Sequence, residues 1–369
     1  CWEYVDAAHK NIWEYFKDED SYFAFVKTLA LSSKTEVTIK ENAFVKGSVY
    51  GGSENGLVQF DTDVKIQGGQ IGCGKDTTEP YGDEVWANDY TPSGDLECAS
   101  WDYGKDTKGD GKKDQYAPYD PYAQYLNPAD NKYYYDEGFT KDADGGANIA
   151  TDGHTYYGNV FGGGSGSVPY FDTQQGVSRY VSSAGIVKGN TKVTISGGHI
   201  LTNVYGGCEA TNVLGSATIT MTGGTVGVPR TVAQIIAHPN TGYIFGAGKG
   251  DQRIFFNKET NVDRTFVNIE GGRVYGSIFG GGEDGHVFQN VIVNIGKDGE
   301  AGPTIGTWGT SYVDGNVFGG GRGFGGEALT AGNIGGSIEL NIKSGKILGS
   351  VYGGGRLGSV GYGLYLVDE

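Results

Sequence analysis

The sequence predicts an all-β fold, a parallel β-helix of about seven repeats, on three observations. First, a Val/Ile-aromatic-Gly motif recurs: "SVYGGS" from Ser48, "NVFGGG" from Asn159, "NVYGGC" from Asn203, "YIFGAG" from Tyr243, "SIFGGG" from Ser277, "NVFGGG" from Asn316 and "SVYGGG" from Ser350. Second, apolar and polar residues alternate with period two over three to five residues, which is strand spacing and too short for helix. Third, Gly makes up 67 of 369 residues, more than twice an average share, without the Gly-X-Y period of collagen. With 25 Tyr, 16 Phe, 5 Trp and 37% hydrophobic residues, the chain has the means to pack a core.

A longer unit surrounds each motif: "VKIQGGQIG" from Val64, "VTISGGHILTNVYGG" from Val193, "ITMTGGTVGVP" from Ile219, "VNIEGGRVYGSIFGGG" from Val267 and "LNIKSGKILGSVYGGG" from Leu340. The form is apolar-x-apolar, a Gly-bearing corner, x-apolar, and then the aromatic-glycine motif. In stacked coils, equivalent residues lie about 4.8 Å apart. Val37, Val64, Val193, Ile219, Val267 and Leu340 are then expected to form one inward ladder, and Ile39, Ile66, Ile195, Met221, Ile269 and Ile342 the next. Each buried aliphatic contributes on the order of 1.5 to 3 kcal/mol.

The aromatics Tyr50, Phe161, Tyr205, Phe245, Phe279, Phe318 and Tyr352 are separated by 111, 44, 40, 34, 39 and 34 residues. Such a period suits a solenoid or, as the alternative, a seven-bladed β-propeller. Very short strands ending in paired glycines favour the solenoid. There the rings stack, while the glycines give positive-φ bends and close coil contact.

Residues 1–31 are expected to be a helical cap on the solenoid, or the end of a preceding domain. Trp2, Val5, Ile12, Trp13, Phe16, Phe23, Val26 and Leu29 recur at helical intervals, and the first glycine is Gly47. Residues 32–369 are the solenoid, interrupted by an insertion over 73–157 that accounts for the first, long aromatic gap. Cys1 fits either a lipid-modified cysteine or a fragment start. Cys73 and Cys98 fit either a bridge or two thiols, and no cysteine has metal-ligand spacing.

The insertion holds 12 of the 25 tyrosines, with 18 acidic against 7 basic residues. Insertions in solenoids map to one face, often the binding face. Trp86, Trp101, Tyr116, Tyr119, Tyr122 and Tyr125 are the candidate ligand contacts, since flat rings beside carboxylates suit sugars or a protein partner; packing of the insertion onto itself would use the same residues. Asp106, Asp110 and Asp114 in "DTKGDGKKD" resemble the calcium loops of dockerin and thrombospondin-type repeats. Lys108, however, stands where a ligand oxygen belongs, so a solvated charged turn competes with that reading. No cofactor is expected, with Ca2+ the one ion for which a candidate site exists.

A net charge of −16 argues against nucleic acid, and no apolar run approaches 18 residues, so no membrane insertion is expected within this segment. Catalytic signatures are missing as well. The five histidines form no HExxH, "GAGKGD" from Gly246 lacks the Ser or Thr of a phosphate loop, and outward positions Thr38, Lys65, Thr194, Thr220, Asn268 and Asn341 hold no acidic pair.

The units "VTISGGHILTNVYGG" and "LNIKSGKILGSVYGGG" resemble the glycine-rich repeats of bacterial β-helix surface proteins of adhesin type, over residues 37–359 apart from the insertion. That resemblance implies extracellular exposure on a bacterial cell surface and a structural or adhesive role. The expected function is a non-enzymatic scaffold or adhesin, with a glycan or surface protein as partner alongside other parts of a longer chain or assembly. The alternative is a polysaccharide-degrading β-helix enzyme, a lyase or glycoside hydrolase, using carboxylates from its loops.

Overall fold

A computed structural model describes residues 30–54, 56–72, 125–127, 129, 132–134, 158–166, 170–172, 177–179, 183–228, 242–250, 260–307, 314–323 and 332–361. These residues form an all-β fold with mostly parallel sheets, of 13 and 7 strands for the two largest, curled about a shared interior as in a parallel β-solenoid. The seven-stranded sheet consists of the motif itself. Val49–Tyr50, Val160–Phe161, Val204–Tyr205, Ile244–Phe245, Ile278–Phe279, Val317–Phe318 and Val351–Tyr352 pair in that order, all parallel and in register. Their rings stack face to face with centroids 4.6 to 5.1 Å apart. One continuous parallel row is incompatible with the propeller alternative, whose blades are separate four-stranded sheets around a channel.

The 13-stranded sheet carries the aliphatic ladders. Val37, Val64, Val193, Ile219, Val267, Val293 and Leu340 are successive partners, as are Ile39, Ile66, Ile195, Met221, Ile269, Ile295 and Ile342. The interior members are fully buried. Val293 and Ile295, on the strand Val291–Ile295, are additions to the expected rows. Their corner reads "GKDGEAGP" where the other units have a compact Gly-bearing pair, so the unit escapes a search for that corner.

Each stretch of chain from one stacked ring to the next is a turn, and side chains bind turn to turn. The residue before each Val/Ile-aromatic pair is Ser or Asn in six of the seven motifs, for a reason visible in the hydrogen bonds. Ser48 Oγ accepts from Asn159 N, Asn159 Oδ1 from Asn203 N, Asn203 Oδ1 from Tyr243 N, Ser277 Oγ from Asn316 N, and Asn316 Oδ1 from Ser350 N. A short polar side chain thus satisfies the next turn's backbone at a corner that the sheets leave open. Across the interior, Thr191 Oγ1 donates to Gly206 O at 2.6 Å and Thr265 Oγ1 to Gly280 O at 2.7 Å. Thr62 does the same to Gly162 O although 100 residues separate them, so the turn closes across the insertion.

The glycines after the rings serve close contact, which corrects half of the expectation. Gly51, Gly162, Gly206, Gly246 and Gly280 do not take positive φ. A Cβ on any of them would lie 2.1 to 2.2 Å from the glycine carbonyl oxygen of the next turn. Positive φ falls instead at the corners of the long sheet, as at Gly198 (80°) and Gly272 (82°), and at three pairs where the chain leaves a turn and returns. Those pairs are Gly72 with Gly158, Gly227 with Gly242, and Gly306 with Gly315. A Cβ on Gly158 would stand 2.3 Å from Gly72 Cα, so the stem of the 73–157 insertion is closed backbone to backbone. The expected helical segment lies outside the described residues up to residue 29, while Leu31–Ser32 is a strand paired with Leu57–Val58.

Candidate functional site

The densest polar chemistry among the described residues stands four positions after each stacked ring: Glu54, Ser165, Glu209, Lys249, Glu283, Arg322 and Arg356. Parallel bridges link Glu54 to Ser165, Ser165 to Glu209, Glu209 to Lys249, Glu283 to Arg322 and Arg322 to Arg356. The glycines just before this position let the chain fold tightly enough to carry these side chains inward. Ser165, Glu209, Lys249, Glu283 and Arg322 are each only 4 to 5% exposed.

Buried charges demand partners, and here the partners come from neighbouring turns. Glu209 accepts from the Tyr50 hydroxyl at 2.5 Å and from Ser165 Oγ at 3.2 Å, and Lys249 Nζ lies 3.5 Å from its other oxygen. Glu283 accepts from the Tyr205 hydroxyl and forms an ion pair with Arg322. The Arg322 guanidinium also sits 5.2 Å over the Tyr243 ring and 5.4 Å from the Phe245 centroid, within cation–π range. Burial opposes the charged form of Arg322. The fields of Glu283 and then of Tyr243, Tyr205 and Asp284 outweigh it and hold the guanidinium protonated beyond its ordinary range. Because these carboxylates are enclosed and already engaged, the ladder can hold turns together but cannot meet a polysaccharide.

The outer face of the long sheet is different in kind. Its successive neighbours Thr38, Lys65, Thr194, Thr220, Asn268, Asn294 and Asn341 form a mostly neutral row. Within it Asn294 Nδ2 donates to Asn268 Oδ1, and Asn341 Nδ2 to Asn294 Oδ1, both at 2.9 Å. Glu36 and Asp63 stand side by side on this face, an acidic pair that the sequence reading did not place. Lys65 Nζ binds both, at 2.8 and 3.2 Å. The hydrogen bond and charge of Lys65 hold the Glu36 carboxyl below its ordinary range, so it is no proton donor near neutral pH.

Of the candidate ligand contacts, Tyr125 lies on the strand Tyr125–Asn127, which pairs antiparallel with Lys132–Tyr134 and sets Tyr125 opposite Tyr134. Trp86, Trp101, Tyr116, Tyr119 and Tyr122 lie outside the described residues, as do Asp106, Asp110 and Asp114 and Cys1, Cys73 and Cys98. Among the described residues, no group of three or more His, Cys, Asp or Glu side chains could hold a metal ion, and no helix is long and apolar enough to cross a membrane. Lys249 of "GAGKGD" is buried against Glu209, which accounts for that glycine-rich match without a phosphate. His199 Nδ1 is bonded to Thr225 Oγ1, and His286 Nδ1 accepts from Asn333 N. Cys208 is a free, buried thiol whose pKa burial pushes up to about 12, against smaller opposing backbone hydrogen bonds from Gly164 and Val187. It is therefore a packing residue, since the reactive form of a thiol is the thiolate.

The sequence reading passed over the ladder. The available signal was a polar or charged residue at one fixed offset from every ring, with the sign alternating from Glu209 through Lys249 and Glu283 to Arg322. The chain matches no protein-family model, no curated protein and no solved structure.

Proposed function

We propose that this chain is a non-enzymatic β-solenoid of about seven repeats on a bacterial cell surface, a scaffold or adhesin that binds glycan or surface protein through the aromatic-rich insertion over 73–157. One observation carries the reading. In the described turns the charged groups of the interior are engaged turn to turn, and the long insertion leaves from a single closed stem at Gly72 and Gly158. A rigid stack that spends its polar groups on itself, and from which an 85-residue aromatic segment departs, has the form of a display platform.

Because the stem is already closed, the insertion can be exchanged for a short Gly-Ser linker without opening the turn. The variant is expected to keep the β-rich circular dichroism of the parent and to lose attachment to bacterial or host cells, glycan arrays and partner proteins. Attachment equal to the parent would overturn the reading and move the binding surface to the coils. A second arm incubates the parent with acidic and neutral polysaccharides. Release of reducing ends or unsaturated products that a single Asp or Glu substitution abolishes would replace the scaffold with an enzyme.

A further inference from the structure

We propose that the buried polar ladder, read together with the tyrosines of the ring stack, is a register code that specifies which turn of the chain stacks on which. The need for one follows from the repeat. Val64, Val193, Ile219, Val267 and Val293 occupy one row and are nearly interchangeable, and any aromatic stacks on any other. A chain that skipped one turn, expelling it as a loop, would still match apolar residue to apolar residue and ring to ring. Register is weakly specified wherever alternative pairings look alike.

The ladder is the row in which they do not look alike. Glu209 meets Lys249 and Glu283 meets Arg322, with all four side chains 5 to 6% exposed. Skipping the turn of Lys249 would set Glu209 against Glu283, and skipping that of Glu283 would set Lys249 against Arg322. Like charges would then be enclosed together where water cannot screen them, and removing one partner of a buried pair is strongly destabilising. Buried polar groups have their best-attested use in fixing register, at some cost in stability.

A second reading of the same rows extends over two turns. The Tyr50 hydroxyl reaches Glu209 past the turn of Phe161, and the Tyr205 hydroxyl reaches Glu283 past the turn of Phe245. In both cases tyrosine is two turns ahead of a ladder glutamate, and the ring between them is phenylalanine, which offers no competing hydroxyl. The choice between Tyr and Phe at Tyr50, Phe161, Tyr205 and Phe245 is thereby explained. It belongs to the code, and a displacement by one turn separates both phenols from their carboxylates.

The outer row supplies a reporter that leaves the ladder untouched. Asn268 neighbours Asn294, and Asn341 lies one turn further on. Cysteines at 268 and 294 are therefore close enough for a disulfide in the native register, while cysteines at 268 and 341 are two strand spacings apart, about 9.6 Å, beyond disulfide reach. If the turn of Glu283 is skipped, with residues 277–315 expelled, 268 and 341 become neighbours, 294 loses its partner and Lys249 is set against Arg322. Two ladders are refolded from denaturant in each reporter background and oxidised. One is neutral (E209Q/K249M/E283Q/R322M); the other is inverted (E209K/K249E/E283K/R322E), so that each opposite-charge pair is preserved with its signs exchanged.

The parent and the inverted ladder are expected to give the 268–294 disulfide. The neutral ladder is expected to lose at least tenfold in its ratio of 268–294 to 268–341 product, or to yield no native species. A neutral ladder that refolds to the 268–294 product as selectively as the parent would overturn the proposal, because apolar packing alone would then set the register. An inverted ladder that fails to recover the native register would overturn it as well, since every opposite-charge pair would be intact and each phenol oxygen would accept from the new lysine in place of donating to a carboxylate.

Discussion

At the corner that follows the ring, the turns that carry Tyr205 and Phe279 run on without a break, whereas those that carry Phe161, Phe245 and Phe318 hold extra chain there; the extra chain of the Tyr205 and Phe279 turns leaves later, after Gly227 and Gly306. The backbone shows how each kind is made. Five residues after the ring, the unbroken corners place Ala210 at φ 50° and Asp284 at φ 53°, and the turn of Tyr352 places Leu357 at 59°. These left-handed, non-glycine residues close the corner in the fewest steps. At the same offset the other three turns have Gly166, Gly250 and Gly323, the positions from which extra residues depart. Glycine at that offset therefore marks a corner with extra chain, and a strained side-chain residue marks a tight corner. The two kinds alternate along the stack. An excursion needs two strands' width at its stem, about 9.6 Å, so every second turn is the closest spacing at which stems can stand in line.

The largest expected effect tests what both kinds of turn share. Gly206→Val, before a tight corner, and Gly246→Val, before a corner with extra chain, should each destabilise by about 3 kcal/mol or more by denaturant unfolding, because the added Cβ meets a backbone carbonyl with nowhere to move. A much smaller cost for Gly246→Val would mean that extra chain at that corner loosens the stack. Next in size is a transplant. A twelve-residue Gly-Ser segment inserted between Ala210 and Thr211 should cost about 2 kcal/mol by crowding the stems of both neighbouring turns. The same segment placed within 308–313 should cost well under about 1 kcal/mol, the entropic price of a longer loop alone. Equal costs would break the spacing argument.

A smaller effect, of opposite sign, sharpens the comparison. Leu357→Gly should stabilise by about 0.5 to 1 kcal/mol, since it relieves a left-handed non-glycine residue and removes a leucine that is 65% exposed. The smallest concerns the outer face. Glu36 has its pKa lowered in the folded state by Lys65, so its contribution is present above the ordinary value of 4.5 and lost as pH falls through the lowered one. Lys65→Met should flatten that acid limb in a plot of melting temperature against pH by lowering the neutral plateau slightly, and leave the acid end unchanged.

Much of the scaffold was legible in the chain because ladder residues repeat by type. Val64 and Val193 look alike in sequence because they occupy equivalent places. The strand Val291–Ile295 was missed because a corner of other composition does its geometric work. The reason for the glycine runs was half legible. Sequence shows that no side chain is tolerated, but whether φ or contact forbids it depends on a carbonyl about 40 residues away. The polar ladder was half legible for the same reason: Glu209, Lys249, Glu283 and Arg322 share one offset from the rings, but their burial shows only once coiling brings them together. The aromatic candidates of the insertion lie almost wholly outside the described residues, and Tyr125 alone among them is placed on a strand.

Among the described residues, the backbone hydrogen bonds that join the turns, such as Val204 N to Tyr243 O and Ile278 N to Asn316 O, run along the stack, and the few within a turn, such as Ala43 N to Lys40 O, close local bends. Tension applied to the two ends of the chain therefore loads them one turn at a time, like a strip peeled from a roll. Each peeled turn releases its own length of chain. The step is roughly 12 nm for the 34 residues between Phe245 and Phe279 and roughly 15 nm for the 44 between Phe161 and Tyr205, at about 3.5 Å per extended residue. A single molecule held at a surface would yield in small graded steps and absorb work at each one, where a domain that unfolds all at once would fail in a single event.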